Sequence, residues 1–211
     1  LTMAAVLIIQ SLFFADGGLL ALGCNIFNIG VIPCLLAYPL IYKPIMKKCF
    51  SYRRIMIASV ISVVAGLQLG AFAVVLQTLA SGVTELPFGT FLVMMQPIHL
   101  AIGVVEGIIT AAVLSFVYRM RPEILESSVS GVPVKKTASV KGVVTALIIA
   151  TVVVGGALSW FASANPDGLE WAVFKTAGTA ELEAEGGIYD AAAGAQQKTA
   201  FMPDYDYASA G

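Results

Sequence analysis

The sequence predicts an all-α, polytopic transmembrane helical bundle. Of its 211 residues, 58% are hydrophobic and only 12% are charged, and the mean hydropathy is +0.88. A soluble core of this size could not hide so much apolar surface. The apolar residues also form long uninterrupted stretches, and the basic residues are concentrated between those stretches. These observations indicate a chain that crosses a membrane several times.

Four apolar stretches are long enough to cross the hydrocarbon layer, which takes about 20 residues. A fifth stretch, Leu1 to Ala15, is shorter and has no charged flank, so we expect it to be the second half of a span. Because the chain does not begin with Met, we expect it to be a fragment of a longer protein. The four complete spans are predicted at Leu19 to Tyr42, Ile55 to Ala80, Phe88 to Tyr118 and Gly142 to Ala162.

The basic residues predict the orientation of these spans. Of the twelve Lys and Arg residues, five lie from Lys43 to Arg54 and five from Arg119 to Lys141. Loops rich in Lys and Arg stay in the cytoplasm, which places both basic loops inside. The turn Asp16-Gly17-Gly18, the loop from Ser81 to Pro87 and the acidic tail from Ser163 are then outside. The alternation holds for every segment, so we expect an extracytoplasmic C-terminal tail.

The second basic loop divides the chain. Residues 119–141, with two prolines, a glycine and a serine-rich run, predict a cytoplasmic linker between a bundle at 1–118 and a module at 142–211. The module contains one span and an extracytoplasmic segment. In that segment Asp167 and Glu170 have the spacing of a capping box, which predicts a short helix. From Gly178 onward small residues dominate, and we expect mostly loop.

Motifs of soluble chemistry do not occur in the sequence. It has no phosphate-binding glycine loop, no metalloprotease histidine pair and no nucleophile elbow. Cys24, Cys34 and Cys49 have neither zinc-site nor redox spacing, so we interpret them as apolar packing residues. The sequence therefore predicts a protein that is not an enzyme and binds no nucleic acid.

Polar residues inside spans are costly in hydrocarbon and are the first candidates for function. His99, Gly103, Glu106 and Thr110 fall on one helical face. His99 and Glu106 are separated by about 10 Å along the axis, too far for one metal ion to join them. Three roles remain open for this pair: hydrogen bonds to neighbouring spans, direct contact with a transported ion, and a relay.

A second polar group surrounds the first turn. Asp16-Gly17-Gly18 joins two helices with almost no loop, which requires permissive glycine backbone. Asn25 and Asn28 lie one helical turn apart, and unpaired amides in lipid are expensive, so they should bond within the bundle or line a cavity. Gly66 and Gly70 form a small-residue stripe that predicts close helix packing.

These same residues carry a family resemblance. The runs from Gln10 to Gly30 and from His99 to Thr110 resemble CbiM and NikM, the substrate-capture subunits of cobalt and nickel energy-coupling factor transporters. Pro166-Asp167-Gly168-Leu169-Glu170, followed by Pro203-Asp204-Tyr205, is similar to the NikN-type accessory component, which is known by its PDGLE signature. The two resemblances follow each other in one chain and cover most of it.

The resemblance implies a multi-pass subunit of a prokaryotic cell membrane that captures Ni²⁺ or Co²⁺ from outside. It implies delivery of the metal to a transmembrane coupling (T) subunit that is driven by cytoplasmic ATPase subunits on separate chains. The metal is cargo, and we expect no tightly bound cofactor. The PDGLE signature favours nickel.

The sequence also departs from the family pattern. Family members bind the metal through an N-terminal Met-His and a further His that would precede Leu1, so we assign no metal ligand within this chain, although His99 is its only imidazole. We expect Asp16, Asn25, Asn28, His99 and Glu106 to act along the substrate pathway or through hydrogen bonds that support the ligands. The accessory component should also end in a second span that the sequence does not reach.

Two other classes of function stay open at this stage. The small-residue stripe and the absence of metal ligands would also suit a membrane scaffold or assembly protein without transport activity of its own. An intramembrane hydrolase that uses His99 and Glu106 is the third possibility, but no nucleophile accompanies these residues.

Overall fold

A computed structural model describes residues 1–82, 85–133, 140–161, 165–179, 182 and 186–203, and these residues contain helices and no strand. The all-α prediction is therefore confirmed. The helices are α1 (Thr2–Phe14), α2 (Leu22–Lys47), α3 (Tyr52–Ser81), α4 (Phe88–Met120), α5 (Pro122–Ser130), α6 (Lys141–Gly156), α7 (Gly168–Ala177) and α8 (Gly187–Thr199).

Three helices are long and apolar enough to cross a membrane, namely α2 with 26 residues, α3 with 30 and α4 with 33. They coincide with the first three complete spans that the sequence predicts. The fourth predicted span, Gly142 to Ala162, is shorter than expected. Its helix α6 ends at Gly156 after 16 residues and a 3₁₀ turn follows at Leu158–Phe161. Two consecutive glycines weaken the helix at this point, so α6 reaches only about 24 Å.

Helix α2 is irregular along most of its length. It widens to i→i+5 hydrogen bonding at Ile26–Val31 and again at Pro33–Tyr42. Pro33 and Pro39 have no amide hydrogen, and the proline ring clashes with the carbonyl four residues earlier, which a wider turn relieves.

Helix α3 is the centre of the bundle, and glycines allow its neighbours to approach closely. A Cβ added to Gly107 of α4 would lie 2.7 Å from Val60 Cα, and one added to Gly103 would lie 3.1 Å from Val64 Cα. On the other side of α3, a Cβ on Gly70 would lie 3.0 Å from the Asn28 carbonyl oxygen. The predicted small-residue stripe is thus a packing surface against α2.

The two ends of the bundle have separate buried clusters. The end at which residues 43–54 and 119–133 lie, called the basic end here, buries Tyr42, Met46, Ile55, Ala58, Val117, Leu125, Val129 and Val143. Leu125 and Val129 belong to α5, so part of the predicted linker is a helix packed under the bundle. The opposite end buries Ala71, Val75, Leu86, Phe91, Met95, Ala172 and Val173.

Helix α5 is fixed at the basic end by polar contacts as well. The Tyr38 hydroxyl donates to the Ser128 carbonyl oxygen at 2.7 Å. Glu123 in the first turn accepts from Arg121 Nε at 2.6 Å. The hydrogen bond from the Glu123 backbone amide lowers the pKa of the Glu123 carboxyl, and the hydrogen bond from Arg121 lowers it further.

Candidate functional site

The turn between α1 and α2 is held by side chains on both sides. Helix α1 ends at Ala15 in the left-handed region, and Gly17 and Gly18 follow with φ of 75° and 66°. Asn25 Nδ2 donates to the Gly17 carbonyl at 3.3 Å, and Gln10 Nε2 donates to Asp16 Oδ2 at 3.4 Å. A side chain at position 17 would be strained by the positive φ, and its Cβ would displace the Asn25 amide, which lies 2.6 Å from that position.

Asn28 is buried between α2 and α3, with 5% of its surface exposed. Its Nδ2 donates to Gln77 Oε1 at 2.9 Å, and Gln77 Nε2 donates back to Asn28 Oδ1 at 3.2 Å. The sequence predicts that the Asn25 and Asn28 amides bond within the bundle, and both do so. The partner Gln77 was missed, although an amide in an apolar span is the same signal that identified Asn28.

A second reciprocal amide contact joins α3 and α4. Gln68 Nε2 donates to the Gln96 carbonyl at 2.9 Å, and Gln96 Nε2 donates to the Gln68 carbonyl at 3.3 Å. Gln68 was missed like Gln77, although it is also an amide in an apolar span. Together the two contacts bond α3 to both of its neighbours through polar groups inside the apolar layer.

His99 lies half-buried on α4, three residues after Gln96. Its Nδ1 is 2.8 Å from the Met95 carbonyl oxygen. A carbonyl only accepts, so Nδ1 carries the hydrogen of this contact. A Cβ on Gly168 would lie 3.4 Å from His99 Cε1 and 2.6 Å from Ile102 Cδ1. The glycine of the PDGLE segment therefore rests directly on the His99 face of α4.

Helix α7 carries this segment and begins with the predicted capping box. After Pro166, Asp167 Oδ1 accepts from the amides of Leu169 and Glu170, each at 2.8 Å, and Glu170 Oε2 accepts from the Asp167 amide at 3.3 Å. One turn further on, Ala172 is fully buried against α3 and α4, at the end of the bundle opposite the basic end. A cavity of about 270 Å³ remains at this junction, lined by Val74, Thr78, Leu86, Phe91, Leu169, Glu170, Val173 and Leu182.

The segment after Gly178, expected as mostly loop, contains the 13-residue helix α8. The prediction was wrong over residues 187–199 because it weighed the small residues as flexible, whereas alanine has the highest helix propensity. Gln196 of α8 lies against the first turn. Its Nε2 donates to the Ser11 carbonyl at 3.2 Å, and its Oε1 accepts from the Leu19 amide at 3.4 Å.

Glu106 lies on the same helix as His99, beside the contact between Gly103 and α3. Gly103 is buried against α3, but Glu106 is exposed beside that contact, and the structure gives it no hydrogen bond to a neighbouring span within the described ranges. The contact line on α4 passes through Gly103, Gly107 and Ala111, which turns Glu106 away from α3. Among the described residues, no group of three or more His, Cys, Asp or Glu is placed to hold a metal ion.

The polar residues thus form separate groups around α3. Asp16 and Asn25 each form a hydrogen bond at the turn, to Gln10 and to Gly17, while Asn28 meets Gln77 and His99 meets Gly168. The turn and the His99 face are each covered by a helix from the C-terminal module. This arrangement defines a membrane protein of two fused modules, in which α7 and α8 of the second module pack on one end of the first.

Comparison with known proteins identifies the modules. Residues 1–124 match the CbiM family, described as the cobalt uptake substrate-specific transmembrane region, and residues 141–211 match the PDGLE domain. The chain belongs to the CbiM family and carries a fused PDGLE domain. No solved structure gives a significant match to it.

Several curated proteins are similar to part of the chain. A Haloquadratum walsbyi protein named for metal transport is 34% identical over 127 residues, 59% of this chain and 55% of its own length. The fused nickel transport protein NikMN, as it is named in Archaeoglobus fulgidus, is 34% identical over 130 residues, 60% and 41% respectively. A Methanocaldococcus jannaschii protein named for metal transport is 32% identical over 137 residues, 63% and 61%. The chain spans about half the length of these relatives.

Proposed function

We propose that this chain is part of the substrate-capture subunit of an ATP-driven energy-coupling factor importer for Ni²⁺ or Co²⁺. The observation that carries the proposal is the order of the two family matches in one chain, CbiM at 1–124 and PDGLE at 141–211. The Archaeoglobus fulgidus relative is named as a fused nickel transport protein, NikMN. This name favours Ni²⁺ as the cargo.

The distribution of charge supports the orientation. Both basic loops lie at one end of the bundle, whereas the turn, the loop before α4 and helices α7 and α8 lie at the other. With the basic end in the cytoplasm, the PDGLE module faces the outside of a prokaryotic cell membrane, where the metal arrives. A transmembrane coupling subunit and cytoplasmic ATPase subunits, on other chains, would supply the energy.

In this proposal the polar groups lie along the substrate pathway or support it. Asp16, Asn25 and Asn28 surround the outer turn, so they would orient the backbone near the entry of the metal. His99 and Glu106 would act further along α4. The division into a bundle at 1–118, a linker at 119–141 and a module at 142–211 is the organisation that we propose for these roles.

The test is uptake of radioactive nickel and cobalt by cells that express the full-length protein with its coupling and ATPase subunits. We expect accumulation that stops when the phosphate-binding lysine of the partner ATPase is replaced by alanine. A membrane scaffold would assemble with its partners but leave metal uptake at background, which would overturn the proposal.

A further inference from the structure

Gln196 is the side chain through which the C-terminal module contacts the first turn. It bonds the Ser11 carbonyl, in the last turn of α1, and the Leu19 amide, just before α2. Six residues later the Met202 amide donates to the Phe13 carbonyl at 3.3 Å. The Phe201 ring lies 5.6 Å from that of Phe13, between centroids. The segment from Gln196 to Met202, called the tail strap here, therefore crosses the turn and contacts both of its sides.

The carbonyls that the strap binds are ones that α1 cannot satisfy by itself. The last four carbonyls of a helix have no partner within it, and Ser11 and Phe13 are among those of α1. The strap supplies one donor to each. In addition, the two atoms of one amide, on Gln196, join the end of α1 to the start of α2. This contact fixes the separation of the two ends of the turn.

Helices α7 and α8 of the module differ in how many of their residues are buried. Helix α7 buries Gly168, Ala172 and Val173 against α3 and α4. Helix α8 buries none of its residues, so its attachment depends on the few contacts of the strap. An element with few buried contacts opens more easily than one that contributes to a core. Helix α7 therefore attaches the module to the bundle, and α8 can detach while α7 stays in place.

We propose that Gln196 is a positioning residue for metal uptake, which holds the Asp16-Gly17-Gly18 turn in the geometry that the substrate pathway needs. This inference rests on the proposed transport function. With the strap in place, the Gly17 carbonyl stays in reach of Asn25 and the Asp16 carboxylate stays in reach of Gln10. When the strap leaves, the turn loses its hydrogen bonds to Gln196 and samples other conformations.

The experiment compares Gln196→Ala and Gln196→Glu with Gln197→Ala in the full-length protein. Gln197 is the matched control because it is the next residue of α8 and is exposed. A glutamate at 196 keeps an acceptor for the Leu19 amide but cannot donate to the Ser11 carbonyl. Hydrogen exchange at the Leu19 amide and the metal dependence of uptake are measured for each variant.

We expect exchange at Leu19 to be about fivefold faster in Gln196→Ala, the factor that loss of one ordinary hydrogen bond produces. Gln196→Glu should retain most of the protection. Uptake by Gln196→Ala should show a several-fold higher KM at an unchanged amount of membrane-inserted protein, and Gln197→Ala should match the wild type in both measurements.

Unchanged exchange at Leu19 in Gln196→Ala would overturn the contact, and faster exchange with unchanged KM would overturn the positioning role. Exchange is measured on purified protein without metal. A wild type that transports nothing would therefore refute the proposed function and with it the positioning role, while the exchange result would still establish whether the strap holds the turn.

Discussion

Asn28 and Gln77 exchange two hydrogen bonds, of 2.9 and 3.2 Å, across the contact between α2 and α3. Each amide uses its oxygen as acceptor and its nitrogen as donor, so the pair is reciprocal. Because α2 has irregular turns at this level, apolar packing alone would leave its register against α3 weakly defined. The amide pair selects one register.

The first prediction follows from this pair. Asn28→Ala should leave the Gln77 amide without its partner in an apolar interior, which costs about 1–3 kcal/mol. We expect lower thermal stability and reduced metal uptake with normal membrane insertion. Thermal unfolding in detergent and uptake assays measure the two effects.

The control is the double variant Asn28→Ala with Gln77→Leu. Removing both polar groups should cost less than the sum of the two single changes, because no buried amide is then left unpaired. Strict additivity, together with unchanged uptake, would show that the two residues act independently and serve only as packing.

The spans could be predicted from the sequence because length and hydropathy are local properties. Reciprocal contacts could not, because Gln77 is 49 residues from Asn28, and Gln196 is 185 residues from Ser11. A polar residue in a span predicts a hydrogen-bond partner nearby, but the fold determines which residue that partner is. The roles of His99 and Glu106 stay predictions, because helical spacing places both on one face but does not determine what that face contacts.

A second prediction concerns the contact between α3 and α4. Gly107→Ala should destabilise the bundle, because its Cβ would lie 2.7 Å from the Val60 Cα, a backbone atom that cannot rotate away. We expect a clear fall in melting temperature. Gly89→Ala, on the same helix, places a Cβ with nothing within 4 Å, and its better helix propensity should leave stability unchanged or raise it by up to about 1 kcal/mol. Equal effects of the two changes would contradict close packing at Gly107.

A third prediction tests the docking of α7 on the His99 face. Gly168→Val should push α7 away from α4, since even a Cβ there meets Ile102 Cδ1 at 2.6 Å and His99 Cε1 at 3.4 Å. In a Trp160→Phe background, the fluorescence of Trp171 reports the displacement, because its ring packs against the buried cluster at the end opposite the basic end. Acrylamide should quench its fluorescence more strongly than in the parent. Gly194→Val on α8, where the added Cβ meets nothing within 4 Å, should leave quenching as it was.

The fourth prediction concerns orientation. Cys24, Cys34 and Cys49 are free and exposed. In a variant with Cys24 and Cys34 replaced by serine, Cys49 in the first basic loop should react with a membrane-impermeant maleimide only after the cells are opened. Once Cys49 is also replaced by serine, a cysteine introduced at Gln197 should react in intact cells. The reverse pattern would place the PDGLE module in the cytoplasm and would contradict the proposed direction of transport.

The last prediction concerns His99. It is the only imidazole in the sequence, so a transition metal would be expected to bind it. The Met95 carbonyl occupies its Nδ1 hydrogen, and only Nε2 remains to coordinate. No group of three His, Cys, Asp or Glu surrounds it in the ranges that the structure describes, and a zinc-type site takes at least three protein ligands.

We therefore expect residues 1–211 alone to bind Ni²⁺ or Co²⁺ only weakly. In the full-length protein, His99→Ala should reduce stability or transport more than equilibrium metal affinity. The substitution removes the imidazole and with it the hydrogen bond to Met95, which is worth about 0.5–1.5 kcal/mol. It also removes the ring against which Gly168 packs. Calorimetric titration of both proteins, each with and without His99→Ala, measures the affinity. Tight one-to-one binding by residues 1–211 that His99→Ala abolishes would show that the metal site is at His99, because the imidazole would then be a ligand and not a support for α7.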